Sequence, residues 1–103
     1  MSDPRHDHIA RAHAALAAST AHRLEAGSDS DALAALSELS SIAGLVGEIA
    51  AQYRWETAEW ATVGAHLDQA REYTAALTRC LDHARGTLAF NSAVREKQTT
   101  CAA

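Results

Sequence analysis

From Leu36 to Leu88 the sequence places residues alternately three and four apart along one line: Leu36, Leu39, Ile42, Val46, Ile49, Tyr53, Glu56, Trp60, Val63, Leu67, Ala70, Thr74, Leu77, Leu81, Ala84 and Leu88. A strand alternates every two residues and would scatter this set over both of its faces, whereas a helix collects it into one stripe. The pattern therefore predicts an all-α chain. Held over so many turns, it is also the mark of helices crossing at shallow angles, with coiled-coil-like heptad packing. A single helix from 31 to 96 would be roughly 100 Å long, too long for a compact domain of 103 residues. The stripe must fold back on itself. The segment "ATVGAHLD", residues 61–68, is the expected turn, because Gly64 can close one helix and Asp68 can sit in the first turn of the next.

An earlier helix has its own start and stop signals: Asp3 as N-cap with Pro4 at the first helical position, and Gly27 where a C-cap would end the run. "GSDSDAL" then reads as a turn followed by a capping pair, Ser28 with Asp31. The prediction is one domain over 1–103, an antiparallel, alanine-rich three-helix bundle: helix 1 at about 4–26, helix 2 at about 30–63, helix 3 at about 66–96 and a polar tail at 97–103. Gly44 and Gly47 are expected to stay helical and to let a neighbouring helix approach closely.

With only 5% aromatic residues in a chain that is 48% apolar, the core must be aliphatic side chains over alanine, each of which buries little area. Self-association is the expected remedy, so the partner reading is a protein, with a homo-oligomer, a dimer first, ahead of others. The formal charge of −4 argues against nonspecific nucleic-acid binding, which needs Lys and Arg to neutralise phosphates. No run approaches the ~20 uninterrupted apolar residues of a membrane span and no signal-peptide segment opens the chain, so no membrane partner is expected. Two cysteines, Cys80 and Cys101, make no disulfide framework and suit a reducing, cytoplasmic setting. Arginine is the main cation, with Lys97 the only lysine; together with the alanine load this suggests a GC-rich bacterium or phage. No cofactor is implied.

Candidate functional residues concentrate in "QYRWETAEW", 52–60. Tyr53 and Trp60 fall on the stripe and are expected in the core; Trp55 falls off it and is the best anchor for a partner, with all three as candidate partner-binding residues. Glu56 lies on the stripe, where a buried carboxylate needs a counter-charge, and Arg71 from helix 3 is the predicted partner in a buried ion pair.

Glu56 and Glu59 form an E-x-x-E pair that resembles half of the metal motif in all-α nucleotide pyrophosphohydrolases of the MazG type. That resemblance implies a magnesium ion held by Glu56, Glu59 and Glu72; the family's last acidic position is Ala75 here. Arg79 and His83 are similar to the Arg and His pair of helical HEPN ribonucleases, with three intervening residues in place of four to six. The hairpin itself resembles the small WXG-type substrates of type VII secretion, with Trp60 and Gly64 in the place of the Trp-x-Gly turn. Function is thus expected to be that of a non-catalytic interaction module, with the magnesium enzyme and the secreted hairpin as alternatives.

Overall fold

The computed structural model describes residues 3–22 and 28–102, and they form three α-helices with no strand among them: α1 (Pro4–Thr20), α2 (Asp29–Glu56) and α3 (Ala61–Ala102). The chain is a three-helix, all-α bundle. Asp3 caps α1, its side chain accepting from the Arg5 amide, with Pro4 following. Ser28 caps α2 by accepting from the Asp31 amide at 3.2 Å. The predicted end of helix 1, with its Gly27 cap, lies outside the described residues.

α2 and α3 are the tightly packed pair. Cross-helix bonds join Asp29 to Arg95, Ser40 to Asp82 (2.7 Å) and Arg54 to Asp68 (3.3 Å); as one number rises the other falls, so the two helices run antiparallel. The turn lies at 57–60, earlier than predicted. Thr57 ends α2, its amide and hydroxyl both donating to the Tyr53 carbonyl (2.9 and 2.6 Å), and the Trp60 amide bonds back to the Thr57 carbonyl. Gly64 is not the turn residue: it is helical, and its amide makes a first-turn bond of α3 with the Trp60 carbonyl. Its lack of a side chain serves packing, since a Cβ there would lie 2.5 Å from the Arg54 guanidinium carbon. Helix 3 also continues through the predicted polar tail to Ala102.

The residues that α2 turns toward α3 are Leu33, Leu36, Ser40, Ala43, Gly47, Ala50, Arg54 and Thr57, all buried or half-buried; opposite them α3 places Gly64, Leu67, Thr74, Thr78, Leu81 and Leu88. On α2 this line is one residue later than the stripe read from the sequence, which rotates it by ~100°. Its middle is small residues, so the helices approach closely: a Cβ at Gly47 would sit 2.7 Å from Thr74 Oγ1. The expected glycine packing is thus realised at Gly47, whereas Gly44 has open space around its Cβ position.

α1 is attached at one end. Asp3 and Arg5 meet the last turns of α2; beyond that end, α1 packs closely against neither α2 nor α3 among the described residues. None of its residues is buried. The molecule is long and thin, 66 × 25 × 16 Å with a radius of gyration of 18.5 Å, against about 13 Å for a compact chain of this length. The 42 residues of α3 account for that length at 1.5 Å per residue.

Candidate functional site

Rotating back one residue from the inner line recovers the large apolar side chains. On α2 this gives Ala35, Leu39, Ile42, Val46, Ile49 and Tyr53; on α3 it gives Val63, His66, Tyr73, Leu77 and Cys80, and Ala70 and Ala84 continue the same three-and-four spacing. An antiparallel pair is related by a two-fold axis normal to the plane of the pair, so equal rotations on the two helices point to the same face. Both rows therefore share one face of the hairpin; over these positions neither contains Asp, Glu, Lys or Arg, and the next position on α2, one before Thr57, is Glu56. Val46 and Leu77 are each 50% exposed, and Leu39, Val63 and Tyr73 are exposed as well. Ile42, Ile49 and Tyr53 are half-buried.

The opposite face is polar. It carries Glu48 and Arg71 beside an open groove of about 300 Å³ floored by Gly44, Gly47 and Ala75. The hairpin is amphipathic across its thickness, with large apolar groups on one side and small and charged groups on the other.

The segment 52–60 forms the tip. Trp55 stands 83% exposed and Trp60 61% exposed. The core expectation for Trp60 is corrected by the early turn: Trp60 precedes α3 instead of continuing the stripe. Trp55 is covered by neither α1 nor α3, because it points away from the inner line of α2.

Tyr53 and Glu56 belong to a polar latch that holds the start of α1. The Tyr53 hydroxyl donates to Asp3 Oδ2 at 2.8 Å, and the Arg5 guanidinium lies 4.5 Å from the Tyr53 ring centroid. Arg5 also pairs with Asp3 at 2.9 Å and with Glu56 at 2.8 Å, and donates to Gln52 Oε1 at 3.2 Å. Hydrogen bonds from the Arg5 side chain and amide, then from Tyr53, hold the Asp3 carboxyl down at about 2. The hydrogen bond to Asp3 pushes the Tyr53 phenol up, and Asp3 and then Glu56 raise the already high Arg5. The predicted Glu56–Arg71 pair is replaced by Glu56–Arg5, and neither Glu56 nor Arg71 is buried. With the turn at 57–60, Glu56 lies at the tip and faces away from α3, while Arg71 lies farther down the hairpin beside Glu48 and Thr74. Sequence reasoning missed Arg5 as the partner of Glu56 and Asp3 as that of the Tyr53 hydroxyl; a cation in the first turn of a capped helix was the available signal.

The three carboxylates of the magnesium reading do not converge: among the described residues no three His, Cys, Asp or Glu side chains gather into a group able to hold a metal ion. Glu59 and Glu72 are exposed, as are Arg79 and His83 on α3. Arg95 is engaged with Asp29. The main arrangement left is a surface, the apolar face of the hairpin, with two exposed tryptophans at the hairpin's tip. Comparison with protein families, with curated proteins and with solved structures returned no match.

Proposed function

We propose that this chain is a helical protein-interaction module, without catalytic activity of its own, whose binding surface is the uncharged face of the α2/α3 hairpin. The observation that carries this reading is the inversion of the two lines: small residues fill the middle of the helix–helix contact, while Leu39, Val46, Tyr73 and Leu77 are left at the surface. Contiguous exposed apolar groups of this kind mark interaction sites. No large side chain is fully buried among the described residues, so much of the apolar area able to stabilise the fold comes into use only when something covers this face. A covered face would complete the coiled-coil-like packing that the 3–4 spacing favours. Trp55 and Trp60 stand exposed at the tip, off the two rows, where an exposed tryptophan is an effective anchor. The exposed thiol of Cys80 fits work in the reducing cytoplasm.

Photo-crosslinking tests the reading. A benzophenone side chain placed at 77 or 46 in cells making the protein should give a protein adduct on irradiation, and one placed at Glu72, off both rows, should give none. Irradiation that yields no adduct from 77 or 46 would sink it.

A further inference from the structure

We infer that the partner seated on the uncharged face is a second copy of this chain, the two hairpins meeting face to face as four packed helices. This rests on the interaction reading and names its partner.

Area is the first support. The exposed parts of Leu39, Val46, Val63, Tyr73 and Leu77 amount to roughly 500 Å², and the exposed alanines at the far end of the rows, Ala35 and Ala84, extend a patch toward the ~800 Å² per partner of a standard interface. Charge is the second. A partner helix bearing charged groups would be recognised by complementary charges; from Ala35 to Ile49 and from Val63 to Ala84 the two rows offer no Asp, Glu, Lys or Arg, and the charged groups at the Tyr53 end, Asp3, Arg5 and Glu56, are paired with one another. An equally uncharged surface is the match, and this chain presents one. Shape is the third. Both rows advance three and four residues at a time, so a two-fold axis lying in the contact plane sets a row against another of the same spacing, as a self-complementary interface requires. The resulting four helices, with apolar rows turned inward, are a stable layered arrangement.

Sedimentation equilibrium of the purified full chain tests the inference. The expected mass is twice the 10.9 kDa of one chain. Each substitution enters a two-fold contact twice, so Leu77→Glu should raise the dissociation constant at least ~100-fold by burying two carboxylates without partners. Phe90→Glu, off both rows, should leave it within about threefold. Where circular dichroism shows that Leu77→Glu has lost its helices, Leu77→Ala keeps helix propensity and should still weaken association by at least ~10-fold. A dimer equally strong in Leu77→Glu, Leu77→Ala and Val46→Glu overturns the assignment of the face. A 10.9 kDa species at every concentration overturns the second copy as partner; the interaction reading survives that result if crosslinks from residue 77 reach a different protein, and falls with it if there are none.

Discussion

Gly44 and Gly47 stand one turn apart in α2 and should respond to the same substitution with opposite signs. Replacing a helical glycine by alanine is worth about 1 kcal/mol in backbone terms. At Gly44 nothing lies within 4 Å of the new methyl, so Gly44→Ala should stabilise by up to about 1 kcal/mol. At Gly47 the methyl would meet Thr74 Oγ1 at 2.7 Å, well inside contact distance. That oxygen cannot easily swing away: it donates to the Arg71 carbonyl at 2.9 Å, and a β-branched side chain in a helix has few rotamers to choose from. Forcing such a contact costs about 1–3 kcal/mol, which outweighs the backbone gain. Gly47→Ala should therefore destabilise by up to about 2 kcal/mol. In a Thr74→Ala background the obstructing oxygen is gone, the next atom being the Thr74 Cβ at 3.6 Å, and Gly47→Ala should then become stabilising. Urea unfolding of all four chains, at one fixed protein concentration because association shifts apparent stability, gives the coupling directly. If Gly47→Ala stabilises as much as Gly44→Ala with Thr74 intact, the close approach of α2 and α3 is wrong.

Arg5→Ala removes the centre of the latch and should speed amide exchange across α1 while leaving α2 and α3 at wild-type rates; equal protection of α1 in both chains would show that the latch holds nothing. The Asp3 carboxyl sits below its ordinary value, at about 2 instead of 3.8, so its contribution is fully present above 3.8 and is lost as pH falls through about 2. An NMR titration of the Arg5 Nε–H should move in that acid window, and a transition centred at 4 or above would contradict the geometry. Trp55→Ala should change unfolding free energy by under about 0.5 kcal/mol, since the ring is 83% exposed, and should weaken partner binding if Trp55 is an anchor. A drop of several kcal/mol in the monomer would show the ring to be covered.

Caps, helix count and helix character were legible in the sequence because each depends on neighbours within one turn: Asp3 with Pro4, and Ser28 with Asp31, occupy the positions their chemistry demands. The direction of the stripe was not legible. On α2 two lines run one residue apart, both spaced three and four: Leu36, Ser40, Ala43, Gly47, and Leu39, Ile42, Val46, Ile49. Hydrophobicity selects the second as core. Steric fit selects the first, because only small side chains allow α2 and α3 to close on each other. The turn was misplaced for a related reason: Gly64 looked like a helix terminator, yet it is helical and has the Arg54 guanidinium of the facing helix against it. The same early turn decided the fate of the candidate residues, sending Glu56 to Arg5 and leaving Trp60 at the tip. Each miss concerns a contact between residues distant in sequence.

That inversion also bears on what α2 is for. By length and composition α2 is the one helix among the described residues apolar enough to cross a bilayer, with a mean hydropathy of 1.4 over its best window, a looser standard than the uninterrupted run sought in the sequence. Its neighbours argue for a different use. Ser40, at the middle of the helix, is bonded to Asp82, and Asp29 and Arg54 near its ends are tied to Arg95 and Asp68. Carrying α2 into lipid would either break these bonds or bring along α3, which holds five cations and four carboxylates, each costing about 2.5–3.5 kcal/mol near the bilayer centre. Covering the same apolar row with another helix leaves every one of these bonds in water or paired as it is. The purified chain should accordingly stay at the bottom of a sucrose gradient when mixed with phosphatidylcholine vesicles. Flotation with the vesicles, joined to exchange protection of α2 that detergent reverses, would mean that the row is made for lipid and that the hairpin opens to deliver it.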